Sequence, residues 1–413
     1  ILEMECKLIP LLLEMRWRGV RINENKAEEV SDKLSKEEQR IQVEIKRKYG
    51  SDVKLWANAS LQTIFDKNDL WYPKTEKGMA SFQKNWLEAH EHELPQFIVR
   101  ARKLNKARTT FIDKMIKEHC FNGRIHAEAH AMRNDRGGTV SGRFSYSNPN
   151  LQQVPARDPE IGELIRSLFI PEEGCQWGAF DYSQQEPRLT VHYANQMQLT
   201  GAKEAVIEYT EKNADFHQIV ADMANIPRKQ AKTINLGLSY GMGKEKLIKE
   251  LGLDDLEAEN LFKQYHAKVP FIRALQDQCA RVAMDRGYIR TFAGRRCRFD
   301  RWESRYEKTT PLPLQEARNK YGSSLKRSYT YKALNRLIQG SAADMTKLAM
   351  IDLWEEGIVP HLQVHDEVDI SIENTEQANT VTRIMENCVK LAVPLLVDIE
   401  LGTSWGETKD IKQ

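Results

Sequence analysis

Several features that would narrow the reading are missing from this chain of 413 residues. Its six cysteines (Cys6, Cys120, Cys175, Cys279, Cys297 and Cys388) are scattered and never fall in a CxxC pair. That spacing argues against a zinc site and a disulfide framework, and it suits a reducing compartment. No apolar run approaches the ~18 residues that a membrane-spanning helix requires, so no membrane partner is expected. A signal-peptide pattern, an internal repeat and a low-complexity tract are all missing. Charge of one sign is scarce as well. The net charge is +2, so the whole-molecule balance does not announce a polyanionic partner.

What is present marks a folded globular protein. Hydrophobic residues make up 41% and charged residues 29% of the chain, outside the disordered range. The length suggests two or three lobes. Lys and Arg cluster locally, in RKLNKAR (Arg102–Arg108) and across 228–249, 286–301 and 320–332. Such stripes on a near-neutral chain fit a groove for a phosphate backbone, or the solvated faces of helices. The chain opens on Ile1 in an amphipathic segment, as expected of a fragment with a domain upstream.

Periodicity organises the chain coarsely. Residues 1–48 read as two helices split at GVRIN, and 52–120 are mixed before a basic helical stretch. Short strand-like pieces fill 123–183. Residues 198–290 read as helical, and 303–330 as a polar, exposed insertion. A helix is expected over 331–356, a strand pair in PHLQVHDEVDISI, a helix over 376–390 and a strand in VDIELG. The middle is thus helical with strand-rich flanks, and a small sheet built from both flanks would bring distant residues together.

Two carboxylates stand at such strand ends. Asp181 closes the apolar run WGAF, and Asp366 sits at a tight turn in QVHDEVDI. A converging pair of this kind can hold two Mg²⁺ ions about 3.5–4 Å apart, the arrangement for in-line phosphoryl transfer. Taken alone, the residues leave open that Asp181 caps a turn and Asp366 shapes a hairpin. RKQAKTINLGLSYG (Arg228–Gly241) adds a helix with an odd face. Arg228, Lys232, Leu236 and Tyr240 fall four apart, stacking two cations, an aliphatic residue and an aromatic along one side.

DYSQQEPRL (Asp181–Leu189), RKQAKTINLGLSYG and VHDE (Val364–Glu367) occur in this order and resemble the three polymerase motifs of family A DNA polymerases. SGRFSYSNPNLQQVPAR (Ser141–Arg157) resembles the segment preceding the first motif, and GYIRTFAGRR (Gly287–Arg296) and NRLIQGSAADMTKLAM (Asn335–Met350) resemble segments before the third. The resemblance implies an α+β right-hand fold. The N-terminal helices and thumb fall in 1–120, the palm in 121–195 and 330–413 with an antiparallel sheet, and the helical fingers in 196–329. It implies template-directed extension of a primer 3′-OH with dNTPs and release of pyrophosphate.

The implied partners are primer-template DNA and dNTP. An upstream exonuclease domain and replication accessory proteins are further candidates. Two Mg²⁺ ions are implied, with Mn²⁺ as the substitute, held by Asp181, Asp366 and the backbone carbonyl of Tyr182, with Glu367 adding charge nearby. Arg228, Lys232 and His217 would meet the triphosphate, and Lys232 is a candidate proton donor to pyrophosphate. Leu236 would pack against sugar and base, and Tyr240 would stack near the templating position. Glu186 would sit under the sugar 2′ position with Tyr240, leaving no room for a 2′-OH, while Gln184 and Arg188 support this motif. Arg143, Asn150, Gln152, Arg157, Asn335, Gln339 and His365 would line the minor groove or the primer end, where every base pair offers the same acceptors. Lys103, Lys106 and Arg108 would take phosphates.

Some positions depart from the family. Leu236 stands where Phe or Tyr is usual, so poor use of dideoxynucleotides is expected. Pro187 replaces Leu, Tyr331 replaces an arginine, and the 303–330 insertion is long. No stretch resembles the exonuclease's acidic motif, so the chain is expected not to edit. These departures lean towards a viral replicase working in the cytoplasm of a bacterial host. The rivals are a single-subunit RNA polymerase, which Glu186 opposes, an inactive DNA-binding subunit, which intact Asp181, Lys232 and Asp366 oppose, and a metal-dependent nuclease, which would not need the Lys232–Tyr240 face.

Overall fold

The computed structural model describes residues 1–133, 137–156, 158–211, 215, 217, 218, 221, 227–239, 245, 248 and 252–411, without the side chains of 229, 230, 233, 236, 238 and 239. Helix α1 (Leu2–Arg18) buries Met4, Leu8, Leu11 and Met15, one side at helical spacing. It stops at Gly19, whose φ of 66° suits a residue without a Cβ. Strand β1 (Val20–Ile22) makes the expected split at GVRIN. Helix α2 (Glu24–Tyr49) then starts on Asn23, whose side chain accepts the Lys26 N–H, and ends on a left-handed Gly50. Helices α3 (Asn58–Lys67), α4 (Lys84–Ala89) and α5 (Glu93–Lys106) follow, the last running into a π-helical stretch at Ala107–Lys117. Ile45, Leu61, Phe65, Phe82, Leu94 and Ile98 form a small core here, separate from the others.

Short strands come next: β2 (Cys120–Phe121), β3 (Arg124–Ile125), β4 (Glu128–His130) and β5 (Ser145–Ser147). Helix α6 (Pro159–Arg166) follows. Asp158 caps it and Pro159 opens it, as both residue types prefer. Strands β6 (Phe169–Ile170) and β7 (Gln176–Tyr182) complete this flank; β1 lies between β3 and β6. The helical middle comprises α7 (Gln185–Gln196), α8 (Ala202–Glu211), α9 (Arg228–Ser239), α10 (Asp255–Lys268) and α11 (Pro270–Arg286), then the hairpin of β8 (Tyr288–Arg290) and β9 (Arg296–Arg298).

The segment expected as a polar, exposed insertion is largely exposed, and it carries secondary structure of its own. Strands β10 (Trp302–Ser304) and β11 (Leu325–Arg327) pair around α12 (Leu314–Tyr321). Arg327 lies 4.4 Å from the Trp302 ring and donates to the Phe299 carbonyl, and Ser328 and Ala317 are buried. The aliphatic and cationic parts of Arg327 cover apolar surface that polar composition alone does not reveal.

The C-terminal flank brings α13 (Ala333–Glu355), β12 (Leu362–Val364), β13 (Glu367–Ile372), α14 (Thr375–Asn387), β14 (Val397–Gly402) and β15 (Thr408–Asp410). The main sheet runs β12-β13-β7-β14-β15, every neighbour antiparallel, so the two distant flanks do meet in one sheet. Alternation puts Phe180, Val368 and Ile399 on one face, where Met345 and Ala349 of α13 and Val381 and Met385 of α14 cover them. Full burial of each such side chain is worth roughly 1.5–3 kcal/mol. The opposite face carries Trp177, Ala179 and Asp181 from β7. Helix α13 is buried along most of its length because it packs on α1, α7, α11 and α14 at once. The architecture is α+β, and no helix among the described residues is long and apolar enough to cross a membrane.

Candidate active site

The register of the sheet builds the site. On β7, Asp181 stands directly opposite Glu367 of β13 on one side and Asp398 of β14 on the other. Cross-strand partners share a face, so three carboxylates form one row. Asp366 joins them through the β12–β13 turn. Val364 pairs with Glu367, leaving His365 and Asp366 as the two turn residues. His365 takes the first position with a left-handed φ of 60°, and Gln363 Nε2 donates to its carbonyl. A non-glycine residue holds that conformation only under constraint. The Tyr182 N–H donates to the Asp366 carbonyl at 3.4 Å, which ties the turn to the end of β7.

Burial and like charge make the row unfavourable for ionised carboxylates. Burial, followed by repulsion from Asp366, Glu367 and Asp398, pushes the Asp181 carboxyl up to about 8, while Lys232 opposes the rise. Asp181 Oδ1 is buried and accepts no hydrogen bond among the described residues. A buried acceptor left unsatisfied costs free energy unless something binds it. No cluster of three His, Cys, Asp or Glu side chains among the described residues is drawn together to cage a metal. Two carboxylates with a backbone carbonyl nonetheless fit a hard cation that keeps most of its water, as Mg²⁺ does.

Helix α9 supplies the positive side. Lys232 is exposed, and its charge acts on both Asp181 and His217. Arg228 Nε donates to Asp215 Oδ2, and the other Asp215 oxygen accepts the His217 N–H at 2.9 Å. His217 is buried, and its Nδ1 is 3.0 Å from Asn235 Nδ2 of the same helix. Burial pushes this imidazole down to about 4; Asp215 opposes that, and Lys232 and Arg228 add to it. His217 is therefore neutral at physiological pH and can offer a phosphate an N–H but not a charge. Tyr240 and Arg157 lie outside the described residues, as does the side chain of Leu236.

Similarity across the whole chain matches this geometry. Residues 24–407 match the family model described as DNA polymerase family A. The chain belongs to DNA polymerase family A. Among its family A relatives, a DNA-directed DNA polymerase of Pseudomonas phage M6 is 34% identical, the match covering 99% of this chain and 66% of that protein. The thermostable DNA polymerase I of Thermus aquaticus is also 34% identical, over 99% of this chain and 48% of that protein. This family A chain thus spans about two thirds of the first and about half of the second. Its fold matches the solved POL domain of Pol1 from M. smegmatis in complex with DNA primer-template and dNTP, with a TM-score of 0.77 and 27% identity, over 97% of this chain and 70% of that one.

The remaining family A positions divide into two groups. One gathers around a small polar cleft lined by Arg143, Gln152, Gln185, Thr346, Gln363 and His365. Gln152 Nε2 donates to the Gln363 carbonyl at 3.4 Å, and Asn150 Oδ1 accepts the Gln152 N–H at 3.2 Å. Asn335 and Gln339 are half-exposed, one turn apart on α13, along the face that runs on to Thr346. Arg143 forms an ion pair with Glu186, so the arginine expected at the minor groove here holds the glutamate expected under the sugar. Burial and Asp366 raise the Glu186 carboxyl, and Arg143 opposes them. Gln184 takes a left-handed φ of 54° before α7 and accepts the Tyr209 hydroxyl at 3.2 Å. Arg188 is buried and donates to the carbonyls of Ser183 and Pro394.

The second group stands apart. Lys103 pairs with Asp158 at 2.7 Å, and Arg108 with Glu38 and Asp113 at 3.5 and 3.2 Å, so protein carboxylates already engage two of the three cations expected to take phosphates. Lys106 is exposed. Sequence reasoning missed Asp398, which reads as an outward polar residue of an alternating strand. Only its register opposite Asp181 draws it to the site. It also placed Glu367 merely near the site, whereas Trp405 Nε1 donates to its Oε1 at 2.9 Å.

Proposed function

We propose that this chain is the polymerising part of a DNA-directed DNA polymerase, which extends a primer 3′-OH with dNTPs on a DNA template. The reading rests on one observation. Asp181, with a buried oxygen that receives no donor among the described residues, lies at the end of the central strand beside Asp366, with Lys232 acting on it from α9. In this reading residues 1–120 are the N-terminal helices and thumb, 121–195 and 330–413 the palm, and 196–329 the fingers.

Asp181, Asp366 and the Tyr182 carbonyl would hold two Mg²⁺ ions. Bound there, the ions would supply Lewis-acid activation of the attacking hydroxyl and charge neutralisation at the phosphates. The protein's own groups do the rest. Arg228, released from Asp215, grips the triphosphate as a planar fork, and Lys232 meets it as a point charge. His217 offers a neutral N–H. Lys232 can pass a proton to the departing pyrophosphate as the bond to the α-phosphate breaks. Glu186, steadied by Arg143, stands where a 2′-OH would need room and so favours deoxynucleotides. Leu236 and Tyr240 cover sugar and base. Arg143, Asn150, Gln152, Arg157, Asn335, Gln339 and His365 follow the minor groove, and Lys106 takes a phosphate. Editing falls outside this chain's chemistry.

Primer extension with Mg²⁺, comparing the wild type with Asp366→Ala, tests the reading. Template-dependent growth is expected in the first, with a loss of roughly 10²–10³-fold or more in the second, the scale on which one preorganised electrostatic group acts. Equal extension by both proteins would refute it.

A further inference from the structure

Beneath the carboxylate row lies an acid that the polymerase motifs do not include, set beside Glu367, which they do. Asp369 follows Glu367 by two positions on β13, so both side chains project to the Asp181 face. Asp369 is fully buried, with 0% of its surface exposed. Two indoles feed this pair. Trp177 Nε1 donates to Asp369 Oδ1 at 2.8 Å, and Trp405 Nε1 donates to Glu367 Oε1 at 2.9 Å. The indole rings stack with centroids 6.0 Å apart, and His361 stacks on the far side of Trp177 at 5.5 Å. His361 is not a cation here. Burial pushes it down to about 4, and its Nε2 is already bonded to the Ser371 hydroxyl at 2.6 Å. Burial raises the Glu367 carboxyl, and Arg166, whose guanidinium lies over Trp405 at 4.2 Å from the ring, opposes the rise.

Each indole has one N–H, so each satisfies one oxygen. Asp369 Oδ2 receives no donor among the described residues. Its carboxyl is pushed well above the ordinary range by burial and, next, by Glu367. Two ionised carboxylates in contact within a sheet would be left with uncompensated charge, a costly state. A single proton between them removes the repulsion and turns the orphaned oxygen into a donor.

We infer that Asp369 is a positioning residue: as a neutral acid it donates a hydrogen bond to Glu367 and, together with Trp405, fixes that carboxylate in the row beside Asp181. Two donors from two directions leave Glu367 a single orientation. Its backbone begins β13 directly after Asp366, so the pair also steadies the turn that carries Asp366. The inference rests on the polymerase reading for its kinetic consequence but not for its structural one.

Three variants of the full chain test it. In Asp369→Asn the amide oxygen still accepts from Trp177 and the amide N–H still donates to Glu367, so kcat should stay within about threefold of wild type. In Asp369→Val both bonds vanish and kcat should fall about tenfold or more, on the scale of lost outer-shell partners, while KM for dNTP holds within about twofold. Trp177→Phe, which removes one N–H and keeps the stack, should fall between them. Infrared difference spectra of the metal-free chain should show a protonated-carboxyl stretch that Asp369→Asn loses and Asp181→Asn keeps. An Asn variant that is folded but as impaired as Val, a fully active Val variant, or a missing band would each overturn the proposal. Inactivity of the wild type itself would instead sink the polymerase reading and leave the infrared test standing.

Discussion

Asp181 shows what burial in a row of acids costs a single carboxyl. Its carboxyl belongs to a sheet face that burial and three neighbouring acids make hostile to negative charge. An unfolded aspartate titrates near 3.9, whereas this one is pushed up to about 8. Between those values the folded chain holds a proton that the unfolded chain has lost. Stability from this group is therefore fully present below about pH 4 and drains away as pH rises towards 8. A divalent cation binding the ionised form should reverse the loss, because it replaces the proton and binds only the folded state. Urea midpoints of the metal-free chain should thus fall from about pH 5 to about pH 8, and Mg²⁺ should restore them most at the upper end. Asp181→Asn should flatten both dependences. A wild-type midpoint insensitive to both pH and Mg²⁺ would contradict this account of the site.

At the scale of elements, the site is a consequence of register. Strand β7 is central, and its partners fix which residues of β13 and β14 share a face with Asp181. Gly178 shows how tight that pairing is. A Cβ there would come within 2.6 Å of Ile372 and 2.8 Å of Phe180, on the face that α13 and α14 cover. Gly178→Val should cost about 1–3 kcal/mol by overpacking and lower activity through a shifted β7. A urea midpoint equal to wild type would show that the strand has room. This also explains what was legible in the sequence. Asp181 and Asp366 stood out because each is an acid where a strand end would favour a hydrophobe. Helix α9 stood out because its cations recur every four residues. The sheet from two distant flanks followed from their strand-like alternation. Asp398 and Asp369 were not legible, since alternation assigns both to an outward polar face. Only pairing reveals that one meets Asp181 and that the other lies under two tryptophans. The 303–330 segment is largely exposed, as its polar composition says, but composition does not reveal the strand pair or the arginine packed on Trp302 that shapes it.

Across the whole molecule, one buried ionic network joins parts of the chain that are far apart in sequence. Glu5 of α1 accepts Lys347 Nζ of α13 at 2.7 Å and also pairs with Arg295 from the β8–β9 turn. Arg295 Nε reaches Asp344 at 2.7 Å, and the Thr291 hydroxyl donates to the same carboxylate at 2.6 Å. Lys347 also donates to the Ala131 carbonyl at 2.7 Å and lies 5.3 Å from the Phe144 ring. Two acids and two bases balance, and burial still pushes Lys347 down to about 8. Such a network need not outweigh a hydrophobic replacement, but removing one member strands its partners in a medium that cannot solvate them. Glu5→Ala leaves Lys347 and Arg295 short of an acceptor at once, so it should cost about 3–5 kcal/mol. Lys7→Ala, two residues further along the same helix, removes only the exposed Lys7–Glu355 pair and should leave the unfolding midpoint close to that of the wild type. Urea unfolding of the two variants separates them. Because the network reaches the helix that carries Asn335 and Gln339, the proposed function implies that Glu5→Ala also weakens binding of primer-template DNA more than Lys7→Ala does. Equal unfolding midpoints would mean that the N-terminal helix is held by its apolar side alone and that the buried charges contribute nothing to its attachment.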